Sequence, residues 1–248
     1  MDLIKEIPRV VREAMDDVNR PDLFRDPICG FSSASDSRYE DLKTIIGPWH
    51  LNPKELMPES KTVISYFVPF TKEVSKSPKC DEAPLLWGEA YEELNKAFDF
   101  VGQRLIAFLR EQGYEASGFA ATHTFDPKVL RSPWSHRSAA VISGLGTFGL
   151  NRMVITEKGS AGRFCTVFTS AEITPSPMPT EEYCFYHQDG RCGACVKNCP
   201  TKALSKEQWL PFACYDLCLK NAEALKNEVN FADVCGKCIG VCPRRYME

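Results

Sequence analysis

Residues 191–200 read RCGACVKNCP, with thiols at Cys192, Cys195 and Cys199 and a proline, Pro200, directly after the last. The spacing is C-x2-C-x3-C-P. The same frame returns 43 residues later as CGKCIGVCP, residues 235–243, and matches at every cysteine, the glycine and the proline. A bacterial two-cluster iron–sulfur run reads C-x2-C-x2-C-x3-C-P, and its last cysteine ligates the opposite cluster. Here Asp189 stands where the first cysteine of that run belongs. Two such half-motifs at a fixed period point to a ferredoxin-like unit holding two 4Fe–4S clusters, each one thiolate short.

The crossing rule sorts the ligands. Cys192 and Cys195 hold the first cluster, joined by Cys242. Cys235 and Cys238 hold the second, joined by Cys199. Cys184, just upstream, is placed to complete the first set through a longer loop. Cys214 or Cys218, from a helix-like stretch between the motifs, completes the second, with Cys214 favoured. Asp189 competes with Cys184, but a carboxylate is a poor match for iron that prefers thiolate. A zinc site also uses C-x2-C pairs. It gives no reason for a third cysteine followed by proline, twice.

Working outward, nine of the twelve cysteines fall at or after Cys184, while Cys29, Cys80 and Cys165 are scattered and carry no assigned function. The 248 residues suffice for one large domain, or a medium domain plus a small one. A net charge of -3 gives no global pull toward nucleic acid, and DNA is not an expected partner. The start, MDLIKEIPRVVREAMDD, lacks the apolar core of a signal peptide, and no run reaches the roughly 18 apolar residues of a membrane span. The expectation is a cytoplasmic chain without structural disulfides.

Upstream of the cysteines, residues 1–20 read as an amphipathic helix, with Pro8 marking its true start. Residues 20–60 are rich in turn signals and read as loops and short helices. TVISYFVPF, residues 62–70, reads as a strand buried on both faces. Residues 84–113 carry a long helical stripe closed by Gly113, and 116–122 read as a second strand. SPWSHRSAAVIS, 132–143, reads as a helix capped by Ser132. GLGTFG, 144–149, reads as a turn, followed by a hairpin of strands 152–156 and 163–172. The proline-rich 174–179 marks a boundary, giving domains 1–173 and 174–248.

The segment SHRSAAVISGLGTFGLNRMVITEKGSAGRFCTVFTSAEI, followed by the two half-motifs and CPTKAL, resembles the epoxyqueuosine reductase family and, more distantly, the reductive dehalogenases. The resemblance covers about residues 60–248. It implies an α+β chain: an N-terminal α/β cofactor domain distantly like nitroreductases, then a two-cluster ferredoxin-like domain. It implies an oxidoreductase in which electrons from an external ferredoxin- or flavodoxin-type donor pass through both clusters to a corrinoid (cobalamin) or to a small-molecule or cofactor substrate. By the same resemblance Gly144, Gly146, Gly149, Asn151 and Arg152 are the cofactor contacts. Glycine would let main chain approach a flat macrocycle.

The chain departs from the family pattern in one place. Where the reductases carry an acidic proton donor, this chain has Leu130. Asp126, four residues earlier, and the neighbouring His136 and Arg137 are the candidate catalytic groups. Imidazole can donate a proton near neutral pH, and a guanidinium can hold an anion. His50, His123 and His187 read as structural, with His187 also placed to tune the first cluster. The chain is shorter than family members whose C-terminal extension is tied to tRNA, so tRNA is not the expected substrate. The second function class is an electron-transfer protein that serves a partner enzyme and has no substrate chemistry of its own.

Overall fold

The computed structural model describes residues 2–248 except 80, 81, 122 and 123. Cys80 and His123 therefore lie outside the described residues. In chain order the elements are α1 (Leu3–Val18), β1 (Ile28–Ser33), α2 (Arg38–Ile45), α3 (Pro53–Leu56), β2 (Thr62–Pro69), α4 (Lys72–Lys76), α5 (Leu85–Glu111) and β3 (Ala116–Phe119). There follow α6 (His136–Ile142), β4 (Gly146–Phe148), β5 (Val154–Thr156), β6 (Gly162–Thr169), α7 (Phe185–Asp189), α8 (Ala194–Lys197), α9 (Pro211–Leu225) and α10 (Lys237–Gly240).

All eight residues of β2 are buried, as its unbroken apolar run demands. It lies inside a four-stranded antiparallel sheet of order β1-β2-β6-β3. Side chains alternate across it. Ile64, Tyr66 and Val68, with Cys165 and Val167 of β6, face the core shared with α1 and α5. Val63, Phe67, Phe164 and Phe168 face α6. Phe67 and Phe164 stack with ring centroids 4.5 Å apart. The sheet is thus covered by helices on both faces.

Several expectations are corrected. Pro8 sits inside α1 and does not start it. Residues 28–33 form an edge strand where loops were expected, so Cys29 lies in β1, in register with Tyr66 and through it with Cys165. Serines and glycine hid that strand, because its order comes from pairing with β2. The cap of α6 is Ser135, whose side chain accepts from Ser138 N, while Ser132 is engaged with Trp134. The expected 152–172 hairpin is two separate pairings: β5 pairs back with β4, inside the supposed GLGTFG turn, and β6 enters the main sheet.

The segment at 172–179 has no regular element, but it is pinned: Ser176 N donates to Phe31 O, and Phe31 N donates to Ser176 Oγ. Beyond it the chain packs back onto α5. Val229, Ala232, Val234 and Ile239 belong to the main hydrophobic core. Glu92, buried on α5, accepts from both the backbone and side-chain nitrogens of Asn230. The last residues pair with the β5–β6 connection: Ser160 N donates to Arg244 O, Ala161 N to Arg245 O and Met247 N to Lys158 O. Among the described residues no helix is long and apolar enough to cross a membrane.

Candidate metal centres and adjoining cleft

The cysteines gather into two groups. One cleft is lined by Cys184, Cys192, Cys195 and Cys242, together with Leu150, Ile155 and Tyr186. Burial pushes the Cys195 thiol up to about 11, and neighbouring Cys242, Cys184 and Cys192 push the same way. Cys199 packs with Cys214, Cys238 and Leu204. The Cys235 and Cys238 thiols are raised, chiefly by burial; Cys214 and Cys199 push Cys235 the same way, and Cys235, Cys214, Cys195 and Cys199 push Cys238. Cys195 packs against both sets, which therefore lie side by side. Cys218 lies one helical turn after Cys214 on α9, and the interaction of the two thiols lowers Cys214 and raises Cys218. Among the described residues, no three His, Cys, Asp or Glu side chains converge as ligands of a single metal ion.

Asp189 is exposed and does not line the cleft, its oxygens accepting from Arg191 N at 2.9 Å and Arg191 Nη2 at 2.6 Å. Cys184 closes the first group without it. His187 is exposed, with Nδ1 3.9 Å from a Glu182 oxygen. His50 is fully buried, which lowers its pKa, and stands against the Trp134 ring at 5.6 Å.

The glycine turn touches both cysteine groups, which sequence alone did not signal. Leu150 N donates to Cys184 Sγ at 3.5 Å, and Asn151 Nδ2 donates to Cys238 O at 3.3 Å. The glycines themselves are used against protein. A Cβ on Gly144, where φ is +78°, would collide with the Pro177 carbonyl, and one on Gly146 with the Ile155 carbonyl. Arg152 is exposed, with φ of +63°.

His136 opens α6 and sits in a chain of hydrogen bonds. Its Nε2–H donates to Ala120 O at 3.1 Å, and its Nδ1 accepts from Thr166 Oγ1 at 2.8 Å. Thr166 in turn accepts from Trp134 Nε1 at 3.4 Å. Burial drives the imidazole pKa down to about 4, so the ring is neutral near pH 7. Arg137, beside it, donates from Nη1 to Arg152 O at 2.9 Å and to Met153 Sδ at 3.4 Å. Its pKa is lowered, chiefly by burial. Asp126 lies elsewhere: it is exposed, and its carboxylate caps its own turn by accepting from Lys128 N. Leu130, at the position of the missing acid, adopts φ of +53°. Asp and Asn enter that left-handed region several-fold more readily than leucine. The loop reaches the cysteine-rich half through Phe125, whose ring meets Tyr215 edge-on at 5.7 Å.

Reasoning from the sequence passed over Arg163. Its guanidinium lies 4.1 Å from the centroid of the Tyr91 ring. The available signal was a lone charge in the apolar strand GRFCTVFT.

No profile of a known protein family matches the chain. An epoxyqueuosine reductase of Atelocyanobacterium thalassa (isolate ALOHA) is 28% identical over 169 residues, covering 63% of this chain and 48% of that protein. An epoxyqueuosine reductase crystallised with an epoxyqueuosine-modified tRNA-Tyr stem loop superposes with a TM-score of 0.57 at 18% identity, over 96% of this chain and 66% of that one. A reductive dehalogenase, described as B12-dependent, gives a TM-score of 0.59 at 15% identity, over 87% of this chain and 29% of that one. The chain spans about half the length of the curated relative it matches. The chain shares its fold with the epoxyqueuosine reductases and the reductive dehalogenases, and it resembles the epoxyqueuosine reductases in sequence as well.

Proposed function

We propose that the chain is a cytoplasmic reductase. In this reading residues 174–248 are ferredoxin-like and hold two 4Fe–4S clusters, and residues 1–173 form a nitroreductase-like domain that presents the acceptor. The observation that carries it is the single cleft lined by Cys184, Cys192, Cys195 and Cys242. A cubane takes one thiolate per iron, so its ligands need not converge on one point. Cys199, Cys214, Cys235 and Cys238 hold the second cluster, and Cys218, one turn along α9 from Cys214, is the spare thiol. Bound clusters supply electrons one at a time.

The protein's own residues then do the following. The Leu150 amide donates to a ligand sulfur, which stabilises added negative charge there. Arg137 holds the Arg152 turn, where the acceptor sits. His136, neutral and engaged at both ring nitrogens, orients the start of α6 and is not the proton donor of this scheme. The acceptor is a corrinoid or a directly reduced substrate. Because Gly144 and Gly146 are accounted for by protein contacts, the corrinoid reading rests on the shared fold, with Gly149, Asn151 and Arg152 as its contacts. A ferredoxin- or flavodoxin-type protein is the donor. The stem-loop complex of a structural neighbour makes tRNA a substrate to assay, against the expectation drawn from chain length.

The second reading, an electron-transfer partner protein, is favoured by the exposed Trp209, Leu210, Phe212 and Leu219 on and before α9. One experiment separates the two. Anaerobically reconstituted protein should hold about eight irons and change its optical spectrum on titration with hydroxocobalamin or flavin. Clusters without any cofactor binding leave the carrier reading. Stoichiometric zinc in place of iron overturns both.

A further inference from the structure

Cys184 is the odd member of the first group. The two-residue spacing of Cys192 and Cys195 fixes both in one short turn. Cys184 stands eight residues before Cys192 and five before Asp189, the in-frame position it replaces. Helix α7 and Gly190, at φ of +74°, come between. Cys184 precedes α7 without capping it through its side chain, and it lines the cleft instead. No local motif sets where its sulfur goes. Metal ligands are oriented by the groups behind them, and a ligand outside the frame depends on such groups most.

Glu182 and Thr147 stand behind this one. Glu182 Oε1 accepts from Cys184 N at 2.9 Å and from Thr147 Oγ1 at 2.5 Å. Thr147 Oγ1 accepts in return from Tyr183 N at 3.2 Å. The Glu182 carbonyl is held by the side-chain amide of Gln188. Residues 182–184 are thus fastened by a closed set of hydrogen bonds to the central residue of β4. Thr147 is itself paired with Ile155 of β5, so the anchor belongs to a hairpin. The same hairpin holds the sulfur: Leu150 N, two residues past β4, donates to Cys184 Sγ at 3.5 Å, and Leu150 and Ile155 pack with the buried side chain. The neighbouring acids take no part, since Asp189 is engaged with Arg191 and Glu181 is exposed.

We propose that Glu182 and Thr147 are positioning residues for the first metal group: together they hold the main chain at Cys184 so that its thiolate completes the set of Cys192, Cys195 and Cys242. The assignment rests on the cluster reading and deepens it. In that reading Gly149, Asn151 and Arg152 of the same hairpin meet the acceptor, so the first cluster and the acceptor share one support.

The test follows iron release from the anaerobically reconstituted full chain to bathophenanthroline disulfonate. Wild type should hold about eight irons. In Glu182→Ala and in Thr147→Val about four should leave at least about tenfold faster, and about four at the wild-type rate. Glu182→Gln keeps the accepting oxygen and Thr147→Ser the hydroxyl, and both should release iron as wild type does. Cys184→Ala should hold about four irons, and adding Glu182→Ala to it should change neither that content nor its release, because the two changes act on one cluster. The electron paramagnetic resonance spectrum left after the fast phase of Glu182→Ala should match that of Cys184→Ala. Wild-type release rates in Glu182→Ala and Thr147→Val overturn the proposal. So does equal acceleration of all the iron, which general loosening of the fold would give, or further loss when Glu182→Ala is added to Cys184→Ala. A wild type that binds no iron refutes the cluster reading and the assignment with it; an iron-replete wild type with unaffected variants refutes the assignment alone.

Discussion

Pairs of cysteine substitutions measure which thiolates share a cluster. Two 4Fe–4S clusters hold about eight irons, four for each set of ligands. Cys184 and Cys242 line one cleft, although 58 residues separate them. Cys199 packs with Cys214 and Cys238 in the other group, although it lies only seven residues after Cys192. Removing one thiolate from a set should cost that set its cluster and leave about four irons. Cys184→Ala and Cys242→Ala should each do so, and the double variant should still retain about four, because the second loss falls on a cluster already gone. Cys184→Ala with Cys199→Ala should retain almost none. Iron analysis after anaerobic reconstitution, with electron paramagnetic resonance of the reduced samples, reads the outcome. If Cys184→Ala/Cys242→Ala is emptied of iron while Cys184→Ala/Cys199→Ala keeps half, the crossing is wrong. If Cys184→Ala alone keeps all eight, Cys184 is not a ligand.

The two half-motifs should also respond differently at their glycines. A Cβ on Gly236, at φ of +71°, would lie 2.5 Å from the Trp87 ring, whereas one on Gly193 meets nothing within 4 Å. Gly236→Ala should destabilise by about 2–4 kcal/mol, from left-handed strain plus overpacking; Gly193→Ala should be near neutral in thermal denaturation, and equal effects would contradict this packing. His136 predicts a pH dependence. Its pKa, about 4 in the folded chain, lies below the ordinary imidazole value, so proton uptake favours unfolding. Its contribution is complete above pH ~6.5 and is lost as pH falls toward 4. Between pH 7 and 5 the wild type should lose about 1–2 kcal/mol more than His136→Gln, and parallel denaturant-midpoint curves would count against the buried neutral ring.

The parts legible in the sequence are those governed by local spacing. The C-x2-C-x3-C-P frames, the apolar run of β2 and the 3.6-residue stripe of α5 each carry their own signal. What stayed hidden depends on partners far along the chain. ICGFSS becomes a strand because β2 offers it an edge. GLGTFG contains a strand because VIT returns to pair with it. That Gly144 and Gly146 each leave no room for a Cβ against Pro177 and Ile155 is likewise set by residues far along the chain. The vacancy of the acid at Leu130 was visible as a residue change; that the backbone there still holds a shape suited to aspartate was not.

The pairing of the final residues with the β5–β6 connection would give the proposed cluster a mechanical role. Cys242 stands immediately before the segment whose carbonyls at Arg244 and Arg245 accept from Ser160 and Ala161. Arg25 secures the same segment from the other side, donating to Met247 O and lying 4.2 Å from the centroid of the Tyr246 ring. A ligand bond at Cys242 therefore fastens the end of the chain to the sheet as firmly as it holds a metal. Any ligand that binds only the folded form adds its binding free energy to folding. In the proposed reading, cluster assembly and cluster loss would be folding events, felt at Arg25 and β6 as much as at the sulfurs, and the redox centre would be one of the fasteners of the fold that houses it.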